Sequence, residues 1–160
     1  MSGFLKALTG RFNDELERHR NRPFLEATMA ACALMACVDG QISLGEKVRV
    51  DQILETLDKL KVFDPHEGVD LFNEFADAIL ADSSKGRERS LKALTDYMAD
   101  HAETGHLIMR ICLAISEADG ARTLADQIEI VQICSHIGVE PKDVGLYTDR
   151  SPDDIRDGKI

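Results

Sequence analysis

Apolar residues fall at helical spacing along most of the chain, and no stretch alternates as a half-buried strand would. Phe4, Leu5, Leu8, Phe12 and Leu16 recur at three- and four-residue steps and predict an amphipathic first helix to about Arg20. Pro23 suits the first position of a second helix. Residues 23–38, PFLEATMAACALMACV, are nearly apolar throughout, so that helix should be central and buried, ending at Asp39-Gly40. Ser43 with Glu46 reads as a capping box that opens a third helix carrying Val48, Val50, Ile53, Leu54, Leu57 and Leu60. Asp64-Pro65-His66-Glu67 opens a fourth, through Val69, Leu71, Phe72, Phe75, Ala76 and Ile79. Ser83-Ser84-Lys85-Gly86 reads as a break, followed by a fifth helix near 88–100. Residues 106–118, HLIMRICLAISEA, are again almost wholly apolar and stop at Asp119-Gly120. Thr123 with Asp126 is a weaker cap, opening a helix to about His136 with Ile128, Val131, Ile133 and Ile137 inside. Gly138 suits its C-terminal cap, and Pro141 starts one more short turn. The chain should thus form an all-α bundle of about seven helices, one domain over residues 1–147, with a polar, frayed tail over 148–160.

One offset relates two parts of this pattern. Asp119-Gly120 stands 80 residues after Asp39-Gly40. At the same offset Cys32 meets Cys112, Leu44 meets Leu124, and Ile53 meets Ile133. Ser43/Thr123, Glu46/Asp126, Val48/Ile128 and Val50/Ile130 are conservative pairs. The match runs without a gap and reads as duplication of one helix hairpin. Two copies are too few for a solenoid and should pack as a pseudo-symmetric pair in one core.

Charge and composition narrow the function. The net charge is −10, aromatics make up 5% and Trp is absent, which argues against nucleic acid as a partner. Residues 1–22 carry five Lys/Arg against three acids, a net of +2. That basic amphipathic helix has two readings, a membrane-surface or partner-docking helix and an ordinary packed helix with a solvated face. The four cysteines, Cys32, Cys37, Cys112 and Cys134, sit in apolar helical segments at spacings unlike zinc ligation, as reduced core thiols would. No apolar run reaches the roughly 18 residues of a membrane span. The first residues do not read as a secretory signal, so the expected location is the cytoplasm, at most peripheral to the inner face of its membrane.

The duplicated Asp-Gly turn is where chemistry concentrates, and it also has two readings. Glycine ends one helix, Ser43 or Thr123 caps the next, and Glu46 or Asp126 completes the cap without any ligand. Yet Asp39 and Asp119 each follow a helix C-terminus, where the macrodipole disfavours an acid, and a hard cation would offset that. DGQISLGE matches the second half of an EF-hand loop, but Met35 and Cys37 would occupy its first two ligand positions, so neither copy is an EF-hand. A partial site shared between the hairpins, or completed by water, would draw on Asp39, Glu46, Asp119 and Asp126, with Glu117 as an extra. The five histidines are scattered, and no zinc-protease motif, phosphate loop or nucleophile elbow occurs.

The run NRPFLEATMAACALMACVDGQISLGEK resembles the TerB family, as do LDKLKVFD, ICLAISEADG and the closing IGVEPKDVGLY. The resemblance spans roughly residues 1–147. It implies a compact all-helical fold with internal pseudo-symmetry and a role in tellurite resistance and related stress responses, while the duplicated acidic turns, the basic first helix and the lack of catalytic motifs point to a non-enzymatic adaptor. It also implies an adaptor working with other Ter proteins, TerC-like at the membrane and TerD-like, and a divalent cation (calcium, magnesium or manganese) on the acidic turns. The matching positions are Asp39, Glu46, Asp119 and Asp126. The second copy departs from the pattern, with Arg122 in place of Ile42 and an aspartate in place of Glu46, so Asp39/Glu46 is the better-matched pair. Alternatives from other classes are a metal-dependent hydrolase, with Asp39 and Asp119 in a deep pocket, and a metal-free interaction scaffold.

Overall fold

A computed structural model describes residues 22–59, 65–120 and 122–144. The first amphipathic helix and the polar tail of the sequence reading lie outside these residues. Among the described residues the architecture is all-α, with six helices and no strand. They are α1 (Arg22–Ala36), α2 (Leu44–Lys59), α3 (Pro65–Ala81), α4 (Ser83–Met98), α5 (Gly105–Ser116) and α6 (Leu124–Ile137). Short 3-10 turns precede α5 (Ala102–Thr104) and follow α6 (Pro141–Val144).

The centre is α1, which touches all five other helices. Its whole surface from Ala27 to Ala36 is apolar or small, so no face needs water, and Leu25, Met29, Leu34 and Met35 are fully enclosed. Burial of each such side chain contributes on the order of 1.5–3 kcal/mol. Its five alanines let neighbouring helices come close. The second apolar helix, α5, lies against α1, with Leu107, Ile108, Ile111 and Cys112 in the same core.

The predicted break at Ser83–Gly86 is a correction. These residues form the first turn of α4, and only Asp82 separates α3 from α4. Asp82 is extended and its carboxylate accepts a hydrogen bond from the Lys85 amide at 3.2 Å, the N-cap that ends the turn in one residue. Gly86 is there for space. A Cβ on it would come within 2.4 Å of the Ile79 backbone, so its absence lets α4 fold back tightly on α3.

Ion pairs link neighbouring helices. Arg22 pairs with Glu67 in the first turn of α3. Arg87 of α4 pairs with Glu129 of α6, whose side chain is only 8% exposed, and Arg87 also donates to Gln132. All four cysteines are buried and free. Burial pushes the Cys32 thiol up to about 12 and those of Cys37 and Cys134 to about 11, which holds them protonated and unreactive.

Candidate functional site

The two Asp-Gly turns repeat nearly bond for bond. Helix α1 ends at Ala36 and α5 at Ser116, while α2 starts at Leu44 and α6 at Leu124, each pair 80 residues apart. In the first turn the Cys37 amide donates to the Ala33 carbonyl and the Gly40 amide to the Cys37 carbonyl. In the second, Glu117 donates to Leu113 and Gly120 to Glu117. Gly40 and Gly120 have φ of 80° and 114°, values at which a side chain would be strained.

Each turn then closes with the predicted capping box. The Ser43 hydroxyl accepts from the Glu46 amide at 3.0 Å, and Glu46 Oε1 accepts from the Ser43 amide at 2.9 Å. Thr123 and Asp126 repeat the exchange at 3.1 and 3.0 Å. Each cap uses one carboxylate oxygen, Glu46 Oε1 and Asp126 Oδ2, and leaves the other outside it.

The turns are not merely similar; they meet. A Cβ added at Gly45 would lie 2.0 Å from Asp119 Oδ1, 3.2 Å from its Cγ and 3.3 Å from the Ala118 carbonyl oxygen. The acid of the second turn therefore rests against the first turn of α2, where the helix dipole favours a negative charge. Half-buried Glu46 senses the same neighbour. Burial pushes its pKa up, the hydrogen bonds from Ser43 pull it down, and the negative charges of Asp119 and Asp126 push it up further. Glu46, Asp119 and Asp126 thus form one electrostatic group drawn from both copies.

The two copies differ at the contact itself. The position equivalent to Gly45 is Ala125. Asp39 and Asp119 are both exposed, but it is Asp119 that rests against Gly45 and whose charge acts on Glu46. Glu117, the extra candidate, pairs with Arg122, the residue that replaces Ile42. Arg49 donates to the Ala114 carbonyl at 3.3 Å, placing a cation at the C-terminal end of α5.

Among the described residues no three or more His, Cys, Asp or Glu side chains are already arranged around a point where an ion could sit. A cation here would have to draw the free oxygens of Glu46, Asp119 and Asp126 together by side-chain rotation. A cavity of about 500 Å³ opens beside the first turn, lined by Gly40, Ile42, Val50, Phe72, Ala76 and Leu80 among others. Neither Asp39 nor Asp119 lines it. Among the described residues no helix is long and apolar enough to cross a membrane.

The family model described as tellurite resistance protein TerB matches residues 25–148. The chain belongs to the TerB family. It is also 28% identical over 97 residues to the tellurium resistance protein TerB of Alcaligenes sp., a match covering 61% of this chain and 79% of that one. No solved structure matches the chain. The family resemblance carried by NRPFLEATMAACALMACVDGQISLGEK, LDKLKVFD, ICLAISEADG and IGVEPKDVGLY is therefore correct, and tellurite resistance is the role it supports.

Sequence reasoning missed one surface feature. Val48, Ile128 and Val131 were assigned to apolar helix faces, but they are 46%, 51% and 37% exposed. Leu44 and Leu124, equivalent positions at the two helix starts, are 78% and 72% exposed. The buried stripe of α6 runs through Ile130, Ile133, Cys134 and Ile137, which puts Ile128 and Val131 on its far side. The signal is in the sequence: steps of three and four from Ile133 reach Ile130 and Ile137 but neither Ile128 nor Val131.

Proposed function

We propose that this TerB-family protein is a non-enzymatic adaptor in tellurite resistance whose paired acidic turns respond to a divalent cation. The observation that carries the reading is the seat of Asp119 on Gly45, which brings an acid of one hairpin to the helix start of the other beside Glu46 and Asp126. Three carboxylates that repel one another, Glu46 and Asp126 half-buried and Asp119 exposed, are relieved by a hard cation, with calcium, magnesium or manganese the natural choices. A cation bridging Glu46 to Asp119 and Asp126 would join the two hairpins, so occupancy would alter the surface that a partner sees. Other Ter proteins, TerC-like at the membrane and TerD-like, are the partners this reading assigns, with the protein acting in the cytoplasm or at the inner membrane face.

The test is calorimetric and NMR titration of wild type with calcium, magnesium, manganese and zinc, beside an Asp119→Asn, Asp126→Asn variant and an Asp39→Asn variant. The reading expects loss of binding in the double variant and a smaller change at Asp39. Identical titrations for wild type and the double variant would remove the cation from the proposal.

A further inference from the structure

Helix α6 is apolar on both sides. Ile130, Ile133, Cys134 and Ile137 face the core, while Leu124, Ile128 and Val131 stand exposed on the far side at steps of four and three. A helix apolar all round is ordinarily covered all round. The other exposed positions of α6 are Ala125, Gln132, Ser135 and His136, so no Asp, Glu, Lys or Arg stands exposed along it.

The internal duplicate shows that the hairpin does not force this. Helix α2 begins the same stripe with Leu44 and Val48, then carries exposed Lys47, Asp51 and Glu55. The positions 80 residues on are Gln127, Val131 and Ser135, so all three charges are missing from α6. The outer sides of α3 and α4 are charged as well, with Asp70, Glu74 and Asp77 on one and Lys85, Glu88 and Arg89 on the other.

Charge also selects what can cover the face. The chain carries a net −10, so two copies meeting through α2 or α3 would oppose acids, whereas α6 sets uncharged side chains against each other. Charged groups border the face without crossing it. Glu46, Asp119, Asp126 and the Glu117–Arg122 pair lie about its start. Arg87, Glu88 and Lys92 of α4 flank His136, and Glu140, Lys142 and Asp143 follow its end. An antiparallel pair holds the two acidic starts about 16 Å apart along the axis, beyond the screening length of roughly 8 Å, where a parallel pair would stack them. It also sets Ile128 against Val131 of the second copy, and the large Leu124 against the small Ser135. One helix face about 21 Å long falls short of the roughly 800 Å² per partner of a standard interface, which puts the contact in the weak, concentration-dependent class.

We propose that the outer face of α6 is a self-association surface, on which a second copy of the chain packs antiparallel about a two-fold axis between Ile128 and Val131. Sedimentation of the full chain tests this, with a chelator present so that the cation reading plays no part. The average mass should rise towards two copies as concentration approaches about 1 mM. Ile128→Glu should hold the chain monomeric with its helical circular dichroism unchanged, while Val48→Glu, at the equivalent place on α2, should associate as wild type does. Oxidising a mixture of Leu124→Cys and Ser135→Cys chains should give a cross-linked pair that neither forms alone, because like positions lie about 16 Å apart and a disulfide spans roughly 7 Å at most. The native cysteines are buried and stay out of that reaction. Wild type that remains monomeric at every concentration overturns the proposal. So does association that survives Ile128→Glu or is lost in Val48→Glu, or cross-linking as strong in the single-variant samples as in the mixture.

Discussion

Replacing Gly45 with alanine separates the fold from the candidate site. The new Cβ would sit 2.0 Å from Asp119 Oδ1, a distance no structure tolerates, so the carboxylate must leave. It is the end of a flexible side chain and can swing into water. The Cγ at 3.2 Å and the Ala118 carbonyl oxygen at 3.3 Å need yield only a few tenths of an ångström. Removing glycine from a helix contributes up to about 1 kcal/mol. Losing an acid at the helix N-terminus costs roughly 0.3–1 kcal/mol. These nearly cancel, so the variant should unfold within about 1 kcal/mol of wild type, a Tm change of roughly 2–4 °C at most. Cation binding should respond differently. At a hundredfold excess over Kd, a bound cation stabilises wild type by about 2.7 kcal/mol, or roughly 5–11 °C in Tm. If losing the Asp119 oxygen weakens binding tenfold, about 1.4 kcal/mol of that remains, or roughly 3–6 °C. Thermal unfolding followed by circular dichroism, with and without calcium or manganese, reads both quantities. Cation-induced shifts that are equal in the two proteins would refute the role of Asp119. A cation-free loss above about 3 kcal/mol would refute the claim that only a flexible carboxylate stands over Gly45.

Three further outcomes follow from the same geometry. Gly86→Ala meets backbone at 2.4 Å rather than a side-chain tip, so urea unfolding should show it destabilised by about 1–3 kcal/mol despite the better helix former. Arg87→Met strands the buried Glu129 carboxylate and should cost about 3–5 kcal/mol, with Arg87→Met, Glu129→Leu recovering a good part, again by urea unfolding. The raised pKa of Glu46 means the folded protein holds that proton more tightly than the unfolded chain does, so this group's contribution falls as pH rises from the ordinary glutamate value through the folded one. Stability measured across that window should decline less steeply in Glu46→Gln, and a cation bound at Glu46 should release protons there, seen as buffer-dependent heat in calorimetry.

Much of this protein was legible in its residues because the signals are local. Asp39-Gly40 and Asp119-Gly120 end helices through glycines at positive φ, and Ser43/Glu46 and Thr123/Asp126 close capping boxes within four residues of chain. The 80-residue offset follows from the same short motifs, and the family from that duplication together with LDKLKVFD and IGVEPKDVGLY. The site was legible only as a set of candidates. That the charges of Asp119 and Asp126 act on Glu46, with Asp119 seated against Gly45, depends on how two hairpins dock. Likewise Ser83–Gly86 reads as a loop locally, yet the close approach of α4 to α3 uses Gly86 inside a helix. Ile128 and Val131 are apolar by composition, but which side of α6 faces the core was set by packing against α4 and α5. Local hydrogen bonds and backbone preferences decide where helices begin and end, and those are written in neighbouring residues. Which side chains face each other across the bundle depends on contacts between residues far apart in the chain, and these exist only once the helices have packed.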